Sequence, residues 1–264
     1  SSASSWANGG WYWRFGNAAE LAEVFDLDRM RDETLNYQLE FVHGTSFERR
    51  QNRILVVGDS HARDVSNGLH MVLSERGYDI RTQSLDDTCL AAINLEGEPL
   101  EEPVSRETKE CVRQIESYQG SQKAKVADIV IYSALLSQES AQSLDKFVKL
   151  ARKTSKNKAM KVVIMDRAVN YNSLHNQAIK RYAEGASPQD INSDAASVDK
   201  NPPLLESIEA NFAKDPTLDD VLIVSKRNYQ CSETSCEFFA ENGTLANWDN
   251  SHWTLVGAKT FMTR

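Results

Sequence analysis

The chain has no run of 18 apolar residues, so we do not expect it to span a membrane by itself. It has no excess of positive charge either: 30 Lys and Arg stand against 38 Asp and Glu, which gives a net charge of −8. Nucleic-acid-binding domains carry clustered basic residues, so this balance argues against nucleic acid as a partner. It also disfavours tight docking to anionic lipid.

Two further absences concern the organisation of the chain. No internal repeat divides the 264 residues, and this length suits one large α/β domain with a full core. The chain begins with neither Met nor a signal peptide, and the opening residues Ser1 to Ser5 indicate a cut or a tag scar. We therefore expect the chain to come from a longer protein.

Cysteine is scarce, with four in the chain. Cys231 and Cys236 lie five apart in a polar stretch, which suits a small surface disulfide loop, and Cys89 with Cys111 could close a second loop. The alternative is a four-cysteine zinc site, but the spacings of four and 21 intervening residues fit the usual zinc ligand patterns poorly. We therefore favour two disulfides, which would place the chain in an oxidising compartment.

Residues 53–60 hold a short apolar run that ends in a tight polar turn. Ile54 to Val57 carry no polar side chain, which is typical of a central parallel strand covered on both faces. Gly58 allows a sharp turn, Asp59 is a favourable helix N-cap, and Ser60 falls where a helix begins. This order predicts a corner that raises the Ser60 hydroxyl to the carboxyl edge of the sheet, where ligands bind in such folds.

A partner for this serine lies near the other end of the chain. Residues 249–257 read Asp-Asn-Ser-His-Trp-Thr-Leu-Val-Gly, so that Asp249 and His252 are three apart in a polar loop. An imidazole near Ser60 can take the hydroxyl proton, while a carboxylate on its other nitrogen fixes the tautomer and stabilises the imidazolium. Each motif alone is weak evidence, but the two together are a much stronger signal.

These two motifs carry a resemblance to a known superfamily. Gly58-Asp59-Ser60-His61, with Asp249-Asn250-Ser251-His252 near the end, resembles the SGNH (GDSL-like) hydrolases. More narrowly, the chain is similar to the periplasmic SGNH domain fused to membrane-bound acyltransferase-3 proteins, which O-acetylate bacterial surface polysaccharides such as lipopolysaccharide O-antigen. The resemblance implies a flavodoxin-like α/β/α sandwich around a five-stranded parallel sheet. It also implies Ser60 as nucleophile, His252 as base and Asp249 as the group that orients the base.

The same resemblance implies a domain organisation and a set of partners. Residues 53–264 would form the catalytic domain, and residues 1–52 the N-terminal extension that links it to a membrane domain. That membrane acyltransferase-3 domain would supply the acyl group, and a polysaccharide would accept it, on the periplasmic side of the inner membrane. We expect no cofactor and no metal, and a monomer when the domain is isolated.

The sequence departs from the superfamily at the oxyanion site. Many members have Gly-x-Asn-Asp after the third strand, where the Asn helps to hold the oxyanion, but residues 131–137 here read Ile-Tyr-Ser-Ala-Leu-Leu-Ser. The superfamily's glycine donor after the second strand has no clear match either. The Ser60 backbone N–H is therefore the one oxyanion donor that we assign.

Strand and helix patterns alternate along the chain, and this alternation fixes the α/β class because parallel strands need crossover helices. After the first strand, we predict strands at residues 79–84, 127–133, 160–165 and 221–224. We predict helices at residues 17–39, from Ser60 towards Gly77, and at 105–118, 144–151, 204–212 and 255–261.

Three other segments each keep two interpretations. The aromatic N-terminal segment either packs onto the domain or meets a membrane interface or a sugar; its members are Trp6, Trp11, Tyr12, Trp13 and Phe15. Residues 184–203, the longest weakly patterned stretch, form either a lid over Ser60 or a passive insertion. The third segment holds aromatic residues on both sides of the loop that carries Asp249 and His252. These rings either seal the loop onto the core or bind an acyl group or sugar; they are Phe238, Phe239, Trp248 and Trp253.

Two polar positions near the motifs receive a structural interpretation. We predict that His61 points away from the nucleophile, because adjacent side chains on a helix face different ways. Asp86 and Asp87 could hold a metal, but no third ligand lies nearby, so a solvated or capping pair is favoured.

The favoured function is acyl transfer through a covalent Ser60 ester. His252 deprotonates Ser60, backbone amides hold the oxyanion, and a second nucleophile then attacks the acyl-enzyme. A sugar hydroxyl as second nucleophile makes the protein an O-acetyltransferase, and water makes it an esterase. The triad does not distinguish these, and the resemblance favours the transferase. The rival from another class is a non-catalytic domain that positions glycan, against which the complete set of Ser, His and Asp argues.

Overall fold

Five parallel strands form the sheet that positions the candidate site. The computed structural model describes residues 18–100, 105–171, 174–198 and 204–264. The strand order is β2-β1-β3-β4-β5, and each neighbouring pair is parallel. This confirms the predicted five-stranded, flavodoxin-like sheet. The strands are β1 (Arg53–Gly58), β2 (Asp79–Ser84), β3 (Ile129–Ser133), β4 (Lys161–Met165) and β5 (Leu222–Val224).

Helices connect the strands and cover both faces of the sheet. Short 3-10 turns follow at Ser74–Arg76, Asp87–Ala92 and Pro216–Leu218, and a π-helical turn lies at Gln38–Val42. The α-helices of the described residues are α1 (Ala18–Val24), α2 (Leu27–Tyr37), α3 (Ser60–Leu73), α4 (Arg106–Gly120), α5 (Gln122–Val126), α6 (Gln138–Ala141), α7 (Leu144–Thr154), α8 (Leu174–Ala183), α9 (Pro188–Val198), α10 (Leu205–Phe212), α11 (Lys226–Gln230) and α12 (Leu255–Thr263).

The alternation of side chains along β1 divides the main core into two layers. Leu55 and Val57 point to one face of the sheet, where they join the buried residues of α4, α5, α7 and α10. Ile54 and Val56 point to the other face, towards α3 and α12. Because side chains alternate in a strand, an apolar run covered on both faces needs apolar residues at every position. The three-layer α/β/α sandwich expected from the sequence is therefore the observed fold.

A third apolar cluster lies beside these two layers and next to the loop that carries Asp249 and His252. It joins residues of α1, α8 and α9 to the segment that precedes the loop. Phe25 contacts Phe239 edge to face, with ring centroids 5.9 Å apart. Ile191 and Ala195 of α9 are buried in the same cluster, with 1% and 0% exposure. This cluster holds the segment that precedes this loop against α1, α8 and α9.

Within residues 184–203, which we interpreted as either a lid over Ser60 or a passive insertion, Pro188–Val198 forms the helix α9. Ser187 and Asp190 bond each other reciprocally: the Ser187 N–H donates to Asp190, and the Asp190 N–H donates to the Ser187 hydroxyl. Proline is favoured in the first helical turn because its missing N–H needs no partner there. Helix α9 packs into the third cluster through Ile191 and Ala195. Residues 199–203 lie outside the described residues.

The single helix predicted at residues 17–39 is instead two helices and a π-helical turn. Asp26 caps the second helix, because its carboxylate accepts the backbone N–H of Arg29 at 3.2 Å. A good N-cap residue starts a new helix and so breaks the one before it. Residue 17, where we predicted the start of this helix, and the aromatic segment of residues 1–16 lie outside the described residues.

Residues 18–52, which precede β1, pack against the sheet domain. Val42 is fully buried in the layer beneath α3 and α12. The guanidinium of Arg81 on β2 donates to the carbonyl oxygens of Phe41 and Ser46, each at 3.0 Å. Charged donors make the stronger class of hydrogen bond, so one buried arginine fixes this connecting segment.

All four cysteines are paired as predicted. Cys89 bonds Cys111 and thereby joins the turn after β2 to α4, and Cys231 bonds Cys236 after α11. The pairing excludes the four-cysteine zinc alternative. Among the described residues, none of the helices combines the length and the apolar character needed to cross a membrane.

The two adjacent carboxylates after β2 have separate partners. Asp86 exchanges hydrogen bonds with Gln114 of α4, and Asp87 accepts from the hydroxyl of Ser140 on α6. Each carboxylate therefore ties the turn to a different helix.

We predict that Gly68→Ala destabilises the protein by about 1–3 kcal/mol through overpacking. A Cβ at this position of α3 would overlap the backbone carbonyl of Ala258 on α12, which cannot move aside. Urea unfolding followed by circular dichroism measures the change. The matched control is Gly120→Ala, an exposed helical glycine with open space around its Cβ position, which should be neutral or stabilising by about 0.5–1 kcal/mol. Equal effects of the two substitutions would contradict the prediction.

Removing the two disulfides should have unequal effects on stability. Loop-closure entropy predicts a loss of about 3 kcal/mol for Cys89–Cys111, which spans 22 residues, and about 2 kcal/mol for Cys231–Cys236, which spans five. Paired Cys→Ser variants compared by urea unfolding test this order. A larger loss for the shorter loop would show that native packing, rather than loop length, governs its contribution.

Candidate active site

The turn after β1 can be made only by glycine. Gly58 has φ of 150°, and a Cβ there would overlap the carbonyl of Ser133 at the end of β3. Glycine alone adopts this conformation without strain and lets two backbones approach this closely. The chain therefore leaves the sheet abruptly and places the next residues directly above its carboxyl edge.

Asp59 fixes the start of α3 and ties it to the neighbouring strand. Its carboxylate accepts the backbone N–H of His61 at 2.8 Å, as an N-cap does, and the N–H of Leu135 at 2.9 Å. Leu135 belongs to the segment that follows β3. Ser60 is the first residue of α3, as predicted, so its hydroxyl stands at the helix N-terminus.

The structure brings together the three residues that the sequence motifs singled out. The Oγ of Ser60 lies 2.7 Å from Nε2 of His252, although 192 residues separate them in the chain. Nδ1 of His252 lies 2.6 Å from Oδ2 of Asp249. The other carboxylate oxygen of Asp249 accepts the N–H groups of Ser251 and His252, at 2.8 and 2.7 Å. This is the geometry of a nucleophile, a base and an orienting carboxylate.

The protonation states suit that arrangement. Burial raises the pKa of Asp249, but hydrogen bonds from the His252 side chain and two backbone N–H groups outweigh it and lower the pKa to about 2. An ionised carboxylate only accepts, so Nδ1 of His252 must carry the proton and Nε2 is free to accept from Ser60. Burial lowers the pKa of His252, yet Asp249 and the nearby Asp64 more than offset it, so the net shift is upward.

A buried glutamine anchors the loop that carries the histidine. Gln230, at the end of α11, has no exposed surface. Its side-chain amide donates to Asn247 at 2.9 Å and to the Tyr171 hydroxyl at 2.8 Å, and its oxygen accepts the indole N–H of Trp253 at 3.1 Å. Both ends of the loop are thereby held by one side chain. The backbone N–H of Tyr171 also donates to the carbonyl of Asn250 at 2.7 Å.

Helix α9 reaches the same region through Asn192. Its side-chain oxygen accepts the backbone N–H groups of Phe238 and Phe239, at 3.0 and 2.8 Å, and its backbone carbonyl accepts from Cys236. Phe238 and Phe239 are fully buried, in agreement with the interpretation that these rings seal the segment onto the core. The disulfide loop and the segment after it are therefore attached to α9 before the chain reaches Asp249.

Two rings stack on the imidazole of His252. The His61 ring lies 4.4 Å from it, centroid to centroid, at an interplanar angle of 12°. The Trp248 ring lies 4.9 Å away at 15°. The prediction that His61 points away from the nucleophile was wrong. The prediction rested on the geometry of one helix. In the structure the loop crosses over the first turn of α3, so side chains on more than one side of this turn face the loop.

Buried charges lie beneath the site, and the sequence motifs did not identify them. Burial raises the pKa of Asp64 on α3 to about 7, and its carboxylate accepts the Trp253 backbone N–H at 3.0 Å. Lys226, 1% exposed at the start of α11, has a pKa lowered by burial to about 8, and its Nζ lies 5.9 Å from the Trp253 ring centroid. Asp166, which follows β4, accepts the backbone N–H of Lys226 at 2.7 Å.

Simple signals could have found some of these residues. Asp64 stands four residues after Ser60, which puts it on the same helix face. Asp166 and Lys226 follow β4 and β5 within two residues of the strand ends, at the edge where parallel sheets bind ligands. Gln230 had no such signal, because its role depends on where the loop crosses.

Two further features of the site concern a metal ion and the donors that would hold an oxyanion. In the described ranges, no group of three His, Cys, Asp or Glu side chains is placed to hold a metal. After β3, where the superfamily supplies an oxyanion donor, the N–H of Leu135 is bonded to Asp59. The first N–H groups of a helix have no partner within the helix, so the Ser60 N–H stays the predicted oxyanion donor.

Comparisons with known proteins agree with this description. A family model of the SGNH domain (fused to AT3 domains) matches residues 30–264. Among solved structures, the chain is similar to the periplasmic domain of a lipopolysaccharide acetyltransferase from Salmonella ser. Paratyphi A, with 14% identity over 92% of this chain and 96% of that one, and a TM-score of 0.57. At this identity the likeness shows the fold alone. No curated protein sequence matches the chain significantly.

We predict that Asp249→Asn lowers the pKa of His252. The amide keeps the shape of the carboxylate but loses the charge that favours the imidazolium. NMR titration of the His252 ring measures the shift directly. Asp166→Asn is the matched control, since this carboxylate is also buried nearby but acts on Lys226 rather than on His252. An unchanged His252 pKa in Asp249→Asn would mean that another group orients the imidazole.

Proposed function

The chain belongs to the family of SGNH domains that are fused to AT3 domains, and on that premise we propose that it is a serine-dependent O-acetyltransferase. It moves an acetyl group through an ester on Ser60 to a hydroxyl of a bacterial surface polysaccharide, with lipopolysaccharide O-antigen as the leading example. The observation that carries the proposal is the unbroken hydrogen-bond chain from Ser60 through His252 to Asp249. Asp249 is held ionised, and its charge stabilises the imidazolium that forms on His252.

In the first half-reaction Ser60 becomes acylated. Its oxygen forms a bond with the acyl carbon while its proton moves to Nε2 of His252, which becomes an imidazolium. The Ser60 N–H, at the positive end of the 14-residue helix α3, stabilises the developing oxyanion. The bond between the acyl carbon and the donor's leaving group then breaks, and His252 returns the proton to that leaving group.

The second half-reaction reverses these roles. An acceptor hydroxyl gives its proton to His252 as its oxygen attacks the ester carbon, and the bond to Ser60 breaks with return of the proton to the serine oxygen. Asp249 stays ionised in both halves, so the imidazolium is stabilised each time that it forms. When water takes the place of the sugar hydroxyl, the same steps make the protein an esterase.

The setting of this reaction is part of the proposal. The family's fusion to AT3 domains supports a membrane acyltransferase-3 domain as the source of the acyl group. The structural relative is a periplasmic domain by its description, and two disulfides suit an oxidising compartment, so we place this domain on the periplasmic side of the inner membrane. Residues 1–52 are the proposed link to the membrane part. We propose a monomer for the isolated domain.

We predict that Ser60→Ala abolishes acetyl transfer without loss of stability, because its half-buried hydroxyl contributes little packing. Removal of the nucleophile in a serine protease costs about a million-fold in rate. The measurement combines the intact mass of the protein after an activated acetate ester is added with transfer to purified surface polysaccharide. Ser66→Ala, which removes a hydroxyl from the same helix, is the control and should keep both signals.

Each outcome of this experiment assigns a function. An acetyl group on Ser60 that leaves faster when polysaccharide is present, with acetylated polysaccharide as product, supports the transferase. Loss at one rate with or without polysaccharide identifies an esterase. Absence of acylation in the wild-type protein supports a domain that only positions glycan. Acetylation of Ser60→Ala at the wild-type level would disprove the covalent mechanism.

A further inference from the structure

Resting on the function proposed above, we propose that His61 and Asp64 are positioning residues for His252: the flat His61 ring fixes the plane of the imidazole, and the Asp64 carboxylate offsets its positive charge. Both lie within the first turns of α3, after Ser60. Neither contacts the Ser60 hydroxyl, so neither is proposed as a catalytic residue.

The geometry of the stack carries the first half of the inference. A hydrogen bond to Asp249 alone lets an imidazole swing about that bond, which would move Nε2 away from Ser60. The near-parallel His61 ring, 4.4 Å away, opposes such a swing because it stacks on the imidazole. His61 is 2% exposed, so its own movement is restricted by the surrounding core. Misplacement of a reacting group by about 1 Å can cost about 100-fold in rate.

The charges around the stack carry the second half. His61 faces Arg63 and Asp64 of its own helix, Asp249 and His252 of the loop, and Lys226 of α11. Burial and the charge of Lys226 hold the pKa of His61 well below its ordinary value, so this ring stays neutral beside the imidazolium. A second positive ring at this distance would oppose protonation of His252.

Asp64 supplies the opposite charge. The charged groups that face His252 are Asp249 of the loop and Asp64 and Arg63 of α3, and the two carboxylates raise its pKa. Asp64 is 2% exposed and lies 3.9 Å from the Nδ1 of His61. Its bond to the Trp253 N–H connects it to the residue after His252. Buried charges interact more strongly than exposed ones, since water screens them less. At and above the pKa of Asp64, about 7, the imidazolium is thus stabilised by two carboxylates rather than one.

The ring is tested by a pair of substitutions at His61. His61→Phe keeps a flat ring, and His61→Leu fills similar space without one. We expect kcat on an activated acetate ester to fall about 100-fold in His61→Leu with KM unchanged, and less than about tenfold in His61→Phe. Equal losses in the two variants, or wild-type kcat in His61→Leu, would overturn the proposal. If His61→Leu does not fold, His61→Ala, which leaves space open, replaces it.

The charge is tested by Asp64→Asn, which keeps an oxygen for the Trp253 N–H. We expect the His252 pKa, measured by NMR titration, and the acidic limb of the rate profile both to move to lower pH, with KM unchanged. A merely structural role for Asp64 would move neither, and that result would overturn the proposal. His70→Ala is the control for effects that any change in α3 could cause. Like His61, His70 lies on α3 and stacks on a ring, that of Phe41, but it is remote from Ser60. It should lower stability and leave the His252 pKa unchanged.

Failure of the proposed function gives a different pattern. If Ser60→Ala were fully active, acyl transfer through Ser60 would be wrong, yet the NMR titrations would still measure what His61 and Asp64 do to His252. Conversely, an inactive Ser60→Ala with an unchanged His252 pKa in Asp64→Asn would retain the function and overturn the positioning proposal.

Discussion

The crossing of residues 247–254 over the first turn of α3 is the constraint on which the candidate site depends. Neither segment has the chemistry alone, since Ser60 is an ordinary hydroxyl without a base and His252 has nothing to deprotonate. The crossing is held from below by Asp64, which accepts the Trp253 N–H, and from the side by Gln230. Gly58 also permits this crossing, because it lets the chain turn directly above β3 and so places the start of α3 at the edge of the sheet. The short motifs therefore identify the residues of the site, but tertiary packing brings these residues together.

The same crossing explains why so many ionisable groups are buried near the site. A loop laid over a helix N-terminus removes water from both, and each buried charge must then find a partner. Asp59 is satisfied by N–H groups and Asp166 by Ser225 and the Lys226 N–H, while one oxygen of Asp64 accepts the Trp253 N–H. The arrangement places negative groups where the imidazolium forms. It thereby makes one positive charge favourable there and a second one unfavourable.

How much of this could be predicted from the sequence depends on the range of the interactions. The strands and the Ser60 corner were predictable because apolar runs, glycine and N-caps act locally. The disulfides were predictable from spacing, since Cys231 and Cys236 lie only five apart and their pairing leaves Cys89 for Cys111. Helix α9 was missed although Ser187 and Asp190 give a local signal, because its polar composition obscured the pattern. The position of His61 could not be predicted, since it depends on a loop almost 200 residues away.

The oxyanion site is where this chain departs from its superfamily, and the structure suggests how the difference is offset. After β3 no Asn is present, and the Leu135 N–H is committed to Asp59, where it secures the helix start rather than facing a substrate. On the proposed mechanism, stabilisation of the negative oxygen then depends on the Ser60 N–H and the dipole of α3. The transition state of that mechanism carries two charges, however, and on the positioning proposal Asp249 and Asp64 stabilise the positive one on His252. A site with fewer oxyanion donors can keep a low barrier when its imidazolium is better stabilised, because the two charges form in the same step.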